Sequence, residues 1–173
     1  MANTYVKIGS TVTVGSGGAA TIDFTSIPAT YTDLLVKLST RTNGTGGNLR
    51  FTLAGITSGV YSEKALYGAG SGSAASFGNT SQAFAATIYT DNTNHTASTF
   101  ASSELYIPNY AGSTNKSFST DSVVESNAVG VLAVIGAGLM ANTSAVSSIS
   151  IFPISPDNFV QYSTASLYGI LKT

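Results

Sequence analysis

The sequence predicts an all-β fold, an antiparallel β-sandwich of jelly-roll type, and three observations carry that prediction. Ser, Thr, Val, Ile, Tyr, Phe and Gly are abundant, which suits half-buried pleated surfaces and tight turns, whereas Glu, Lys and Gln are scarce. Apolar and polar residues alternate with period two in run after run, and few stretches space apolar residues as a helix would. Gly-rich turns separate the runs at intervals of roughly ten residues, giving about eight to ten short strands. The 173 residues show no repeat of fixed period and no linker, so a single sandwich domain over residues 1–173 is expected.

Taken in order, Thr11–Val14 and Ala20–Phe24 flank Gly15-Ser16-Gly17-Gly18 and read as a first hairpin. From Asp33 to Thr42, Leu34, Val36 and Leu38 share one face, with Leu35, Lys37, Ser39 and Arg41 on the other. Asn43-Gly44-Thr45-Gly46-Gly47-Asn48 supplies residues that accept positive φ, and leads to Leu49, Phe51 and Leu53 on a shared face. Phe84, Ala86 and Ile88 alternate with Ala85, Thr87 and Tyr89. Gly68–Gly72 and Asp91–Thr96 read as longer loops. Pro108-Asn109 ends a strand running from Phe100, and Pro153 and Pro156 close one through Ile149 and Ile151. Val129, Val131, Ala133 and Ile135 alternate with Leu132 and Val134, which predicts a central strand apolar on both faces. Leu167, Tyr168 and Ile170 supply a last strand.

Charge is sparse. Charged residues make up 9% of the chain and the net charge is -1, with no two of the seven Lys and Arg adjacent. Such a chain cannot neutralise a run of phosphates, so no nucleic-acid partner is expected. The apolar stretch Ala128–Ala141 falls short of the roughly 20 residues a spanning helix needs, so no membrane role is expected either. The first residues lack a basic region followed by an apolar one, and no signal peptide is read.

Catalytic chemistry draws mostly on His, Cys and perturbed carboxylates, and here there is one His, no Cys, and eight Asp and Glu scattered singly. Gly136-Ala137-Gly138-Leu139-Met140-Ala141 matches a dinucleotide fingerprint with Asp157 downstream, but Asn142–Ser148 is a poor helix and too little chain follows to finish the sheet. Asp91 and His95 share a polar loop, yet Asp91 is its one carboxylate, so a surface loop is expected rather than a metal site. No G-x-S-x-G elbow accompanies His95. Asp121 and Glu125, read on one strand face, would stand roughly 13 Å apart, too far for glycoside cleavage. The Asn-x-Ser/Thr sequons at Asn43, Asn79, Asn94, Asn115 and Asn142 are what an Asn- and Thr-rich chain produces by chance. Tyr61, Tyr67, Tyr89, Tyr106 and Tyr110 are the aromatics available for ligand contact, against core and edge packing as the plainer role. The expectation is therefore no catalytic residue, no cofactor and no metal.

Three stretches carry a resemblance. They are Val14–Leu34 (VGSGGAATIDFTSIPATYTDL), Glu104–Tyr110 (ELYIPNY) and Ser163–Ile170 (STASLYGI). Together they resemble small all-β virion structural proteins of tailed bacteriophages, of the aquatic and cyanobacterial phage type. The resemblance implies a capsid decoration protein, a knob or cement on the outer surface of the head. Its partners would be the major capsid protein or other virion proteins, with dimers or trimers of the chain itself. The alternative it implies is a tail-fibre or receptor-binding tip that recognises host surface glycans. Such a family brings no catalytic residues. Within the first stretch, Tyr31 is expected to pack over a corner and hydrogen-bond backbone.

Overall fold

A computed structural model describes residues 4–70, 72–127, 132–154 and 156–171. Twelve strands form two antiparallel sheets: β1 (Tyr5–Thr13), β2 (Ile22–Phe24), β3 (Asp33–Thr40), β4 (Asn48–Leu53), β5 (Tyr61–Ala69), β6 (Ala75–Gln82), β7 (Ala85–Tyr89), β8 (Ala101–Ile107), β9 (Lys116–Val124), β10 (Leu132–Met140), β11 (Ile149–Pro153) and β12 (Thr164–Ile170). The large sheet has eight strands in the order β1-β12-β3-β8-β9-β10-β5-β6, and the small sheet has four, β2-β11-β4-β7.

Set aside the hairpins β5–β6 and β9–β10 and the remaining strands pair as β1·β12, β2·β11, β3·β8 and β4·β7. Each pair nests within the one before and lies in alternate sheets. That is a jelly roll. The two hairpins are insertions into it, and both join the large sheet beyond β8, widening it past the small sheet.

The core lies between the sheets. Leu34, Val36 and Leu38 of β3, Leu105 and Ile107 of β8, and Ala165 and Leu167 of β12 face Leu49, Phe51 and Leu53 of β4 and Ile149 and Ile151 of β11. The alternation predicted for β3 and β4 is observed, because each has one face on this core.

Several expectations change. Thr11–Val14 and Ala20–Phe24 do not form a hairpin: β1 belongs to the large sheet and β2 to the small one, so the glycines between them carry a crossover. The count rises to twelve because β5 and β6 lack clean alternation. The apolar run is central in its sheet, flanked by β9 and β5, but is not covered on both faces. Ile135 is 68% exposed, since no layer covers the outer side of β10. Val129 and Val131 lie outside the described residues. At the corner, the hydroxyl bonded to backbone is Tyr110's: it donates to Pro28 O and accepts from Tyr31 N. The Tyr31 ring instead lies against Gly169, where a Cβ would collide with it.

The three stretches that carry the resemblance meet at this corner. Thr32 N donates to Ile170 O (2.9 Å), while Asn109 N and the Tyr106 hydroxyl both donate to the Asp33 carboxylate (2.9 Å each).

Candidate functional surface

The inner face of the inserted half of the large sheet is polar where a sandwich would ordinarily be apolar. In β9, Thr120 and Ser122 point inward and are buried, as is Glu63 in β5 and Ser103 in β8. Each meets the free edge of β7. Ala86 N donates to Glu63 Oε2 (2.6 Å) and Tyr89 N to Ser122 Oγ (3.0 Å), while Thr120 Oγ1 and Ser103 Oγ donate to Thr87 O (3.2 Å) and Tyr89 O (2.8 Å). The large sheet therefore does with side chains what another strand would do with backbone. An unpartnered buried amide or carbonyl costs about 1–3 kcal/mol, which explains polar residues at these inward positions.

The Gly136-x-Gly138 pair belongs to the same arrangement. Both glycines point inward from β10, and a Cβ at Gly136 would lie 2.6 Å from Thr87 Cβ and also collide with Thr120. At Gly138 it would run into the Phe118 ring. Gly136 lets β7 come close to the sheet, and Gly138 makes room for the Phe118 ring. The segment is a strand and its continuing loop, so the helix N-terminus that would hold a pyrophosphate is missing from it.

Asp91 and Asn92 are buried, contrary to the expected surface loop. Asp91 Oδ1 lies 2.7 Å from His95 Nδ1, and its backbone oxygen accepts from Thr42 N (2.9 Å). Arg41 straps the following turn through the carbonyls of His95, Thr96 and Thr99. The cluster pins the β7–β8 connection to the end of β3. Among the described residues no three His, Cys, Asp or Glu side chains gather as a metal site would require.

Lys116 is fully buried, with its ammonium donating to the carbonyls of Gly112 (2.6 Å), Thr114 and Thr143 (3.3 Å). Burial pulls its pKa below the usual lysine value. It ties two loops together.

The tyrosines divide. Tyr61 and Tyr110 are core residues; Leu53 N donates to the Tyr61 hydroxyl (2.8 Å), and burial raises the pKa of both phenols. Tyr67 points inward and pairs with Phe77, ring centroids 6.4 Å apart, and Tyr89 sits half-buried on β7. Tyr106 alone of the five lies on the outer face, opposite Leu35, which in turn is opposite Tyr168. Tyr5 and Tyr168, not singled out by the sequence, line a shallow pocket of about 410 Å³ with Leu35, Lys37 and Glu104. Asp121 faces outward from β9, while Glu125 lies past the strand's end and accepts from Asn127 N, so the two do not form a pair. Asp121's nearest acidic neighbour is Glu104, directly across on β8, which is occupied by Lys37 at 2.5 Å.

One cross-strand row summarises the outer face: Lys37, Glu104, Asp121, Ile135, Leu66 and Ser76 stand side by side from β3 to β6. It begins with an ion pair and becomes apolar. Leu66 is 61% exposed and Val123 46%, and with Ile135, Ala133 and Ala137 they make an open apolar patch on the inserted strands. Neither composition nor alternation marked this patch, because an outward Ile or Leu reads like a core residue until the covering layer is known.

The fold and this surface define a jelly-roll β-sandwich widened by two inserted hairpins, with an exposed apolar patch on its outer face. No protein-family model, curated protein or solved structure matches the chain. No helix among the described residues is long and apolar enough to cross a membrane.

Proposed function

We propose that this chain is a virion structural protein of a tailed bacteriophage, a capsid decoration (knob or cement) protein. It binds the outer surface of the head by protein–protein contact, chiefly with the major capsid protein, and its work is adhesion without covalent chemistry. The observation that carries the reading is the exposed patch of Leu66, Ile135 and Val123 on the outer face of the large sheet. Exposed apolar side chains grouped in this way mark interaction surfaces, and an uncovered sheet face offers area to the surface of a shell. The resemblance of Val14–Leu34, Glu104–Tyr110 and Ser163–Ile170 to phage virion proteins supplies the setting.

The test is to image purified particles and then repeat with Leu66→Thr/Ile135→Lys, which sets the new lysine beside Asp121 and not a third carboxylate. The expected result is density of this shape on the head that vanishes in the variant, with the melting temperature of the free protein unchanged. Particles that carry the chain nowhere on the head sink the proposal.

A receptor-binding tip that recognises host glycans is the second reading, favoured by the pocket of Tyr5, Tyr168, Lys37 and Glu104, an aromatic surface beside charged groups. Density confined to the tail, together with retention on host polysaccharide lost in Tyr168→Ala, would put it first.

A further inference from the structure

We propose that β6 is a self-association edge, through which two copies of this chain join antiparallel and extend the large sheet across a two-fold axis. The inference does not depend on the virion reading.

Two sheets have four edges, and three are guarded. β1 carries Lys7, and its pairing with β12 breaks between Ile8 and Val12, where Gly9 takes a φ of 69°. β2 is three residues long. β7 has its edge groups bonded by Glu63, Ser103, Thr120 and Ser122. These are the devices by which proteins blunt strand edges: charge, irregularity, shortness and cover. β6 has no charge, shortness or cover, and its one irregularity is confined to its far end, where Ser81 takes a φ of 55°. Ala-Ser-Phe-Gly-Asn-Thr-Ser-Gln contains no charged residue and no proline. Its pairing with β5 is regular from Ala75 to Asn79 and irregular only at its far end. Among the described residues β5 is its one neighbour, so a row of backbone donors and acceptors faces outward.

The strand is also compatible with itself. Antiparallel pairing of two identical strands opposes no like charges in any register, because β6 has none to oppose. With the axis at Gly78, Ser76 faces Thr80 and Phe77 faces Asn79 of the other copy, so small residues meet larger ones on both faces. The two Phe77 rings then become diagonal neighbours, roughly 7–8 Å apart at the backbone and within reach of each other. Tyr67 backs each ring. The nearest charges belong to β5: Glu63, whose carboxylate accepts from the Asn79 amide (3.0 Å), and Lys64, whose ammonium lies over Gly78. The two Lys64 ammoniums would therefore approach each other near the axis, but both are exposed and each can swing into water on its four-carbon stem. A net charge of -1 adds little repulsion. One strand pair and its flanking rings fall near the low end of specific interfaces, about 1,000 Å², so the dimer belongs to the weak class.

Sedimentation equilibrium on the purified chain from about 5 to 500 µM covers the range expected of such an interface. The native chain should pass from monomer to dimer. Ser76→Lys/Thr80→Lys, which sets lysine against lysine, should weaken association at least tenfold. Ser76→Lys/Thr80→Glu, which sets lysine against glutamate, should restore it. Both residues exchanged, Ser76 and Thr80, are exposed on β6, and equal melting temperatures would show the fold intact. A native chain that stays monomeric at the highest concentration, a trimer, equal association by all three proteins, or a Lys/Glu variant no tighter than the double lysine would each overturn the proposal.

Discussion

The two halves of the large sheet run through one continuous hydrogen-bonded ladder, yet their inner faces differ. From β1 to β8 the inward residues are almost all aliphatic, Leu34, Val36, Leu38, Leu105, Ile107 and Leu167 among them. From β9 to β5 they include Lys116, Thr120, Ser122, Glu63 and two glycines. The first half meets the face of the small sheet, where β2, β11 and β4 pair backbone with backbone and present apolar side chains. The second half meets its edge, where backbone donors and acceptors protrude. A strand's inner face is thus written by what lies above it, and a polar inward residue in a sandwich is first a candidate edge cap.

The sharpest way to break this comparison is to truncate in one half and overfill in the other. Leu105→Ala should cost roughly 3–4 kcal/mol in urea unfolding, as a buried large-to-small change under a packed face. Gly136→Val should cost roughly 2–3 kcal/mol, because the new side chain occupies the space of Thr87 and Thr120. Ala137→Val, one residue on and facing outward, should shift stability by no more than about 0.5 kcal/mol. Equal effects at 136 and 137 would mean that β7 does not approach β10 as described. Replacing the caps should have intermediate effects: Glu63→Leu orphans the Ala86 amide and should cost about 2 kcal/mol, Thr120→Val about 1 kcal/mol.

A smaller effect, shared by both halves, depends on pH. Tyr61 and Tyr110, both raised by burial, hold their protons in the folded state above the pH at which they ionise unfolded. The unfolded chain binds fewer protons there, so the stability they contribute is complete below about pH 10 and declines as pH rises through the folded values. Absorbance at 295 nm should show their ionisation coinciding with unfolding, and Tyr61→Phe should shift the alkaline limb upward. Independent titration of these phenols in the folded protein would contradict their burial.

Much of the jelly roll was legible in the chain. β3, β4, β8 and β11 alternate because one face of each is buried, and their turns carry Gly, Asn or Pro. β5 and β6 were not legible, since β5 places Glu63 inward and β6 has one large apolar residue and mostly exposed positions. Crossovers between sheets look like hairpin turns in a sequence, which is why Gly15–Gly18 misled. The buried Asp91 was hidden for a different reason: its polar neighbours suggest water, whereas its partners Thr42 and His95 come together only in the fold. Gly136 and Gly138 were visible as a motif, but their purpose depended on Thr87 and Phe118, both remote in sequence.

The four side-chain bonds along β7 have a mechanical consequence. They act as the binding of a book, fastening the two leaves along one long side, while the β1–β2 side is shut by packing and a few loop contacts. Thermal opening must start where nothing is stitched, so deuterium should enter the amides of β1 and β2 well before those of β7, β9 and β10. A load pulling the leaves apart would meet its greatest resistance at the spine, next to the strands that carry the exposed apolar patch.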